Sequence, residues 1–311
     1  MVTSVPVTGL PSDKAVIFPP LMTSSPYHPG ELLVKQHLGE RSQADRNAPT
    51  ILSGIPPTEN HFLAQQTLVT ISSLDADGQV WTSVLLGAPS FAHSPTPAVL
   101  HLATARLRPA GPDIVWANLA ARPATSLLFI EFSSRRRYRV NGRAHAVADG
   151  WQIEIDQAFL NCPQYIQPQP DPRAVPAAPV PAIQSAGTTI TPEISAWITT
   201  ADTFFFGSGS DRDALDTAHR GGPAGFVRVE EAGTLLVPDY VGNSMYNSLG
   251  NLALNAAAGL LFIDFAGART LQLTGRAEVI WHLAGEEAAT GGTGRWWRFT
   301  PAAWIILPLP A

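Results

Sequence analysis

The side chains of this sequence that could perform chemistry are few, and they form no common catalytic pattern. The one cysteine, Cys162, has no partner for an intrachain disulfide, and a lone cysteine is more often buried and inert than nucleophilic. None of the eight histidines has the His-x-x-x-His spacing of a metal site. The sequence contains neither a GxxxxGK[ST] phosphate loop nor a GxGxxG turn between a strand and a helix. We therefore expect no metal centre and no internal nicotinamide-binding domain.

Two short basic runs are the main source of concentrated positive charge. One is Arg135-Arg136-Arg137, followed by Arg139, and the other is His219-Arg220. Such cations could hold an anionic ligand. The first run could equally be a solvated strand edge that guards against aggregation, and the second an ordinary surface loop. The residues alone leave both alternatives open.

A segment of the chain occurs twice, which indicates how these residues are positioned. Residues 118–147 and 251–280 align without a gap at a constant offset of 133 (251 minus 118) and share 13 of 30 residues. Weaker similarity extends the repeat to about 62–148 against 197–281. This period exceeds the ~20–50 residues of solenoid repeats, so the pattern indicates a tandem duplication whose halves pack as a pseudo-dimer. We expect the functional site to lie between the halves.

Each repeat is predicted to consist mainly of strands. In the first repeat, a hairpin is predicted, with strands at 67–73 and 80–86 on either side of an Asp-Gly turn. A short helix is predicted at 114–121, and its counterpart in the second repeat is expected at 245–255. Two closing strands are expected at 126–132 and 136–146, the latter ending in an Asn-Gly bend. The unalternating runs Leu127–Phe129 and Leu260–Phe262 predict equivalent strands buried on both faces. The simplest assembly is an antiparallel barrel of about six strands with a small helix.

Composition limits the class of protein. The chain has 311 residues, of which 45% are hydrophobic, with a net charge of −5 and a pI near 5.9, so we expect a globular protein that does not bind nucleic acid. No apolar stretch reaches the ~20 residues of a membrane span, and no secretory signal is apparent, which favours a soluble, cytoplasmic protein. Proline-rich stretches predict an irregular arm at 1–29 and a linker at 163–192. These stretches delimit a first repeat at 30–162 and a second repeat at 193–311.

The order of these motifs resembles the pyridoxamine 5'-phosphate oxidase-like FMN-binding split-barrel family. The resemblance is carried by GTLLVPDYVGNSMYNSLGNL, AGLLFIDF and LQLTGRAEVI in the second copy and by SLLFIEF and RRRYRVNGRA in the first. The opening YHPGE and the segment Asn161–Gln167 resemble a two-copy subgroup of that family. The resemblance implies a mainly β fold of tandem split β-barrels with short helices, packed as a pseudo-dimer.

The resemblance also implies a site for flavin mononucleotide (FMN) where two barrels meet. The family's phosphate-binding Ser-Arg-Lys stretch corresponds to neutral residues near Asn247 and Ser248, with Tyr240, Gly242 and Asn243 in the loop before them. Because the phosphate is close to a dianion, compensating charge is expected from His219 and Arg220 or from Arg136 and Arg137. The expected site is thus composite, with the loop of the second half and the arginine strand of the first.

The implied activity is that of an FMN-dependent oxidoreductase acting on a small molecule. Its electrons would come from the substrate, a diffusible reduced nicotinamide or an external reductase. The alternative is a non-catalytic split barrel that binds haem, with His28 or His219 as axial ligand, or one that binds a deazaflavin. The first copy lacks the Gly-Asn turn of the second, so we expect one flavin per chain, in a monomeric pseudo-dimer or a homodimer.

Overall fold

The structure, a computed structural model, describes residues 25–109, 113–171, 174, 185–210 and 214–310. The predicted arm at 1–29 lies mostly outside this range, as does the centre of the predicted linker. In the described residues of the first half, the elements are α1 (Pro29–His37), α2 (Arg41–Asn47), α3 (Pro57–Gln65), β1 (Leu68–Leu74), β2 (Val80–Leu86), β3 (Ala92–Thr96), β4 (Val99–Ala103), α4 (Val115–Ala121), β5 (Ala124–Glu131), β6 (Arg136–Val147) and β7 (Gly150–Asn161).

The second half repeats this order after a short extra strand. Its described elements are β8 (Ser185–Gly187), α5 (Pro192–Thr200), β9 (Thr203–Gly209), β10 (Leu215–Gly221), β11 (Arg228–Val229), β12 (Leu235–Pro238), α6 (Asn247–Leu254), β13 (Ala257–Asp264), β14 (Arg269–Ile280) and β15 (Trp296–Pro308).

The two sheets have the same topology. The first sheet runs β2-β1-β5-β6-β7-β4-β3 and the second runs β10-β9-β13-β14-β15-β12-β11, with β8 added beside β15. The adjacent pairs within both sheets are antiparallel. Each strand of the first path therefore has its counterpart at the same position in the second. The chain is a mainly β protein of two split-barrel repeats, as predicted, although each path has seven strands among the described residues rather than about six.

The strand that contains Leu127–Phe129 shows no alternation of apolar and polar residues because its two faces pack into different cores. Leu127 and Phe129 point into the core of the first barrel, whereas Leu128 contributes to a second core that also contains Phe205 and Leu261 of the other half. In β13, Leu260 and Phe262 face the core of the second barrel in the same way. Strands β5 and β13 thus lie between a barrel interior and the interface between halves, which confirms that both are buried on both faces.

The halves meet about a pseudo-two-fold axis. Phe132 and Phe265, which are related by the 133-residue offset, pack against each other with ring centroids 6.2 Å apart. In an isologous interface, residues on the axis contact their own equivalents. Nearby, the Ser72 hydroxyl lies 3.1 Å from the Thr82 hydroxyl and accepts a 2.8 Å hydrogen bond from the Thr217 hydroxyl, and these threonines are also equivalent. The pseudo-dimer is therefore built from matching residues.

One expectation about local structure needs correction. The Asn-Gly pair of the first copy does not end its strand, because β6 continues to Val147 and the register shifts between Asn141 and Gly142 in a β-bulge. The second copy has the same irregularity between Thr274 and Gly275. Bulges bend a strand without ending it, which lets each long strand curve around its barrel.

Helix α1 lies against the opposite half from the sheet it precedes. Its side chains Leu33 and Val34 belong to the core of the second barrel. The approach to α6 is close, because a Cβ on Gly30 would lie 2.1 Å from the carbonyl oxygen of Gly250. The division of the chain into domains at 162 and 193 stays a prediction, but α1 links the N-terminal segment to the second barrel.

Candidate anion-binding site

A pocket of about 150 Å³, partly open to solvent, lies between the two halves. Its second-half wall consists of the end of β10, the loop between β12 and α6, and the start of α6. Its first-half wall consists of β6 and the residues that follow β7. The structure brings together eight of the nine residues predicted for the site: Arg137, His219, Arg220, Tyr240, Gly242, Asn243, Asn247 and Ser248. That these residues bind a cofactor stays a prediction.

Arg136 is the predicted residue that the structure does not bring to the pocket. Successive side chains of a strand point to opposite faces, so Arg136 leaves β6 on the face away from Arg137. There it forms an ion pair of 2.7 Å with Glu59 and lies over the ring of Phe62. Of this predicted pair only Arg137 therefore lines the pocket, and its binding of a phosphate stays a prediction.

Arg137 and Arg220 bring positive charge to the pocket. Within the described part of the chain, neither guanidinium forms an ion pair, and the Nε atom of each is buried without a hydrogen-bond partner. Arg137 donates to His219 and to the carbonyl of Gln164, and Arg220 donates to the carbonyl of His219. Burial and two neighbouring arginines lower the pKa of Arg137 to about 10, and burial lowers the pKa of Arg220. Among the described residues, these two charged groups thus lack a compensating anion at ion-pair distance.

His219 lies between these arginines as a neutral imidazole. Burial, followed by the charges of Arg137 and Arg220, holds its pKa well below the ordinary value. Because a guanidinium only donates hydrogen bonds, the 3.1 Å contact from Arg137 makes Nδ1 of His219 an acceptor. The ring proton of the neutral form therefore sits on Nε2, which is buried and has no partner in the described structure. His219 can offer this pocket an uncharged donor.

Arg139 also lines the pocket, although we predicted no specific role for it. It follows Arg137 by two residues and so shares its face of β6. Its guanidinium lies 2.8 Å from the Asp216 carboxylate and 3.2 Å from the side-chain oxygen of Asn247. Asp216 also accepts from Asn141 and Asn251. Arg139 is therefore neutralised inside the protein, whereas Arg137 is not. The period of two along β6 could have separated Arg136 from Arg137 and Arg139, but not Arg137 from Arg139, because Asp216 comes from a distant strand.

The loop before α6 turns sharply so that the helix begins at the pocket. Ser244 and Tyr246 both have positive φ, 61° and 57°, and the Asn243 side chain accepts from the amide of Met245. The first amides of a helix have no intrahelical acceptor and carry the positive end of the helix dipole. Asn247 and Ser248 are the first residues of α6. The start of this helix can therefore bind an anion without contributing a formal charge.

The N-terminal helices hold this loop in place. Glu31 of α1 accepts from the side-chain amide of Asn247 and also caps its own helix by accepting from the amide of His28. Asn47 of α2 donates a 2.6 Å hydrogen bond to the carbonyl of Asn243. His28, considered above as an axial ligand, instead accepts from the amide of Gly30 at the start of α1. The YHPGE motif thus acts at the back of the loop rather than in the pocket.

The end of β7 and the segment after it form the remaining wall. Asn161, Cys162, Gln164 and Tyr165 all line the pocket. The ring of Tyr165 stacks on that of Tyr240 with centroids 4.9 Å apart, and its hydroxyl donates to the carbonyl of Val241. Sequence reasoning assigned 163–192 to a linker and so missed this contribution. The polar and aromatic residues of this segment were the sequence signal that could have indicated its place in the pocket wall.

The equivalent position of the first half is filled by the protein itself. Asp113 accepts hydrogen bonds from the amide of Val115, near the start of α4, from the hydroxyl of Ser83 and from the side chain of Gln272. Burial raises the pKa of this carboxyl. The 133- and 135-residue offsets place Thr270 opposite Arg137 and Leu85 opposite Arg220. The first-half position therefore contains an internal carboxyl group and lacks counterparts of the two unpaired cations.

The described residues show neither a metal site nor a membrane-spanning helix. Among them, no group of three or more His, Cys, Asp or Glu side chains is arranged to hold a metal ion. No helix in the described ranges is long and apolar enough to cross a membrane.

Comparison with known protein families gives a match over most of the first repeat. Residues 55–177 match the model of the family described as pyridoxamine 5'-phosphate oxidase. This range covers β1 to β7 and the segment that forms the pocket wall after β7. A search of curated proteins gives no match.

Several solved structures are also similar to this chain. HupZ of Group A Streptococcus is 18% identical over 40% of this chain and 96% of its own, with a TM-score of 0.30. A NimC/NimA family protein of Clostridium acetobutylicum is 12% identical over 37% and 84%, with a TM-score of 0.28. The heme storage protein HutZ of Vibrio cholerae is 11% identical over 38% and 95%, also with a TM-score of 0.28. Each likeness spans about one repeat.

Proposed function

Through residues 55–177 this chain belongs to the pyridoxamine 5'-phosphate oxidase-like family, and we propose that it is an FMN-dependent oxidoreductase acting on a small molecule. The cofactor would bind in the pocket between the halves, with its phosphate at the start of α6. The observation that carries this proposal is the pair of guanidiniums of Arg137, which is buried, and Arg220, which is partly buried, in the pocket at that helix, where neither forms an ion pair with a described residue.

The charge of the pocket matches a phosphate monoester. Such a group carries close to two negative charges, and the pocket offers two cations that form no ion pair with a described carboxylate. Arg139 adds no further net charge because Asp216 already neutralises it. A dianion would therefore pair with both guanidiniums and remove the cost of leaving their charges without an anion in the pocket.

The neutral groups of the pocket suit the same ligand. The amides at the start of α6 and the Nε2 hydrogen of His219 can donate hydrogen bonds to phosphate or ribityl oxygens. Tyr165 and Tyr240 supply aromatic surface at the other side, and pockets for planar cofactors combine apolar walls with a few polar groups in this way. These residues fit the phosphate and the ring of a flavin.

A bound flavin would supply the hydride or electron chemistry, while the protein provides binding, orientation and charge. This division of work is consistent with a pocket whose described residues include no obvious acid–base pair or activated nucleophile. In the described part of the chain, no nicotinamide-binding domain accompanies the two barrels. The electrons would therefore come from the substrate, from a diffusible reduced nicotinamide or from a separate reductase.

We propose a single flavin for each chain. The first-half position has Thr270 and Leu85 where the second-half pocket has arginines, and the carboxyl of Asp113 already lies near the start of α4. A phosphate there would meet an acidic side chain rather than two cations.

Haem is the second candidate, because His219 is a buried neutral imidazole in the same pocket. Its Nδ1 accepts from Arg137, so Nε2 carries the proton and cannot donate a lone pair to iron without rearrangement. This arrangement favours the flavin.

Titration of the purified, cofactor-free protein with FMN, riboflavin and haemin tests the proposal. We expect FMN to bind at least ~10-fold more tightly than riboflavin, because a charge-assisted hydrogen bond contributes roughly 1.5–3 kcal/mol. Equal affinity for FMN and riboflavin would exclude a phosphate-binding pocket. Tighter binding of haemin than of FMN would instead favour the haem alternative. Reduction of bound FMN by candidate donors then identifies the electron source.

A further inference from the structure

The segment after β7 closes one side of the proposed cofactor pocket through a single aromatic side chain. The ring of Tyr165 stacks on that of Tyr240, with centroids 4.9 Å apart and an angle of 22° between the ring planes. The Tyr165 hydroxyl donates a 2.9 Å hydrogen bond to the carbonyl of Val241. Tyr165 and Val241 are 41% and 50% exposed and both line the pocket, so this contact lies at its mouth.

The backbone of Tyr165 is fixed, whereas its side chain is not. Its φ is 63°, in the left-handed region that bulky residues adopt only where neighbouring contacts impose it. The carbonyl of Tyr165 lies so close to Gly221 that a Cβ added there would be 2.0 Å from the carbonyl oxygen. The next residue, Ile166, is buried in the core between the halves. By contrast, the acceptor of the Tyr165 hydroxyl lies at the surface, where water can replace it, so rotation of the ring costs little.

The pocket with Tyr165 in this position is too small for the ring system of a flavin. Its volume is about 150 Å³, whereas pockets that enclose organic ligands and cofactors measure ~300–1,000 Å³. The other walls are held in place, because Arg137 and Arg220 belong to paired strands and Asn47 bonds the carbonyl of Asn243 in the loop before α6. The side chain of Tyr165 is therefore the part of the wall that can move at the lowest cost.

We propose that Tyr165 is an aromatic gate, which releases Val241, admits the planar ring of the ligand against Tyr240 and then stacks on the outer face of that ring. Aromatic rings in contact lie ~3.5–4 Å apart, so a ring inserted between the two tyrosines separates them to about 7 Å and breaks the hydrogen bond to Val241. The gate recognises the ring of the ligand, whereas Arg137 and Arg220 recognise its phosphate. This inference rests on the proposed flavin site.

Stopped-flow binding of FMN and riboflavin tests the hydrogen bond that holds the gate. Tyr165→Phe keeps the ring but loses the hydroxyl, so we expect the association rate constants of both ligands to rise by about 2- to 10-fold, as the net loss of one hydrogen bond allows. Dissociation should not change, because that bond is already broken in the complex. Tyr138→Phe is the matched control, since the Tyr138 hydroxyl is buried in the first barrel and has no partner among the described residues. Equal association rate constants in Tyr165→Phe and wild type would overturn the proposal.

Tyr165→Ala tests the stacking face of the gate. The affinities for FMN and for riboflavin should both fall, on the order of 10-fold and by similar factors, because the two ligands carry the same ring. Arg137→Gln should instead weaken the binding of FMN alone. A loss confined to FMN in Tyr165→Ala, or no loss for either ligand, would refute the contact between Tyr165 and the ring.

Fluorine NMR tests the gate without any cofactor. The chain has five tyrosines, so incorporation of fluorotyrosine gives five signals that single Tyr-to-Phe variants assign. In the free protein we expect microsecond-to-millisecond exchange at Tyr165 and Tyr240 and none at Tyr138, which is 1% exposed. Absence of exchange at both Tyr165 and Tyr240 would overturn the proposal. If the wild type binds neither FMN nor riboflavin, the proposed function fails, while these spectra still decide whether the ring of Tyr165 leaves Tyr240.

Discussion

The guanidinium of Arg139 lies 2.8 Å from the carboxylate of Asp216, and this contact joins β6 of the first half to β10 of the second. Both side chains are less than a tenth exposed. Asn141 and Asn251 also donate to Asp216, and Asn247 accepts from Arg139, so the two charges are paired within the protein, although Nε of Arg139 has no partner among the described residues. The same contact lies directly behind the pocket. It therefore couples the assembly of the halves to the geometry of the site.

Removal of one partner of this pair should destabilise the protein. Asp216→Ala leaves Arg139 buried without its anion, and we expect the free energy of unfolding to fall by about 3–5 kcal/mol. Urea denaturation followed by tryptophan fluorescence measures the change. Arg298→Ala is the matched control, because its ion pair with Glu230 is about one third exposed and should contribute less than ~1 kcal/mol. Equal losses in both variants would contradict a special role for the interface pair.

The two unpaired arginines should determine FMN affinity. Arg137→Gln and Arg220→Gln should each weaken FMN binding by about 10- to 100-fold, because each removes a charge-assisted hydrogen bond worth roughly 1.5–3 kcal/mol. Riboflavin affinity should change little, since riboflavin has no phosphate. Arg136→Gln serves as the control, because Arg136 pairs with Glu59 on the opposite face of β6. The assignment is wrong if Arg136→Gln weakens FMN binding as much as Arg137→Gln.

The purified protein should contain or bind one FMN per chain. The first-half position has no arginine at the two equivalent points and holds Asp113, so only the pocket at α6 is expected to fill. Absorbance of flavin released on denaturation, divided by protein concentration, gives the ratio. The double variant Arg137→Gln/Arg220→Gln should approach zero. A ratio of two in the wild type would show that the first-half position also binds.

Lys35 should make stability depend on pH. Its side chain is fully buried in α1, and burial lowers its pKa from 10.5 to about 7, with Glu31 and Asp45 opposing the shift. Between these two pH values the unfolded chain binds the extra proton and the native protein does not. The contribution of this group to stability therefore increases as the pH rises from about 7 to 10.5 and is lost as the pH falls through about 7.

Denaturation of wild type and Lys35→Met across this range checks the sign. The variant removes the titrating group but keeps an unbranched side chain, so its stability should rise less steeply between about pH 7 and about pH 9 than that of the wild type. Equal slopes would show that the pKa of Lys35 is not lowered.

The contact between α1 and α6 should be sensitive to a single methyl group. A Cβ at Gly30 would lie 2.1 Å from the carbonyl oxygen of Gly250, so Gly30→Ala must push the helices apart. We expect a loss of about 1–3 kcal/mol and weaker FMN binding, because Glu31 then moves away from Asn247. Gly242→Ala is the control for stability, since a Cβ added at Gly242 would meet no atom of the described residues within 4 Å. A thermal melt of both variants distinguishes them.

The sequence alone determined the fold and indicated most of the predicted residues that the structure brings to the pocket. The 133-residue offset indicated the duplication because equivalent strands need the same pattern of buried side chains. The runs Leu127–Phe129 and Leu260–Phe262 occupy matching strands, as predicted. The loop at 239–248 was recognisable because its order of turn and helix-start residues is local. Such signals depend on neighbours along the chain, so they can be read without coordinates.

Only the tertiary structure decided which charges are free. Arg136, Arg137 and Arg139 look alike in sequence, but Glu59 pairs with the first and Asp216 with the third. Both partners come from distant parts of the chain, as does the Gln272 side chain that donates to Asp113 near the start of α4. Whether a buried cation retains an unsatisfied charge depends on which acidic groups the fold brings within a few ångströms of it. Spacing along the sequence does not specify those distances, and packing of the two barrels does.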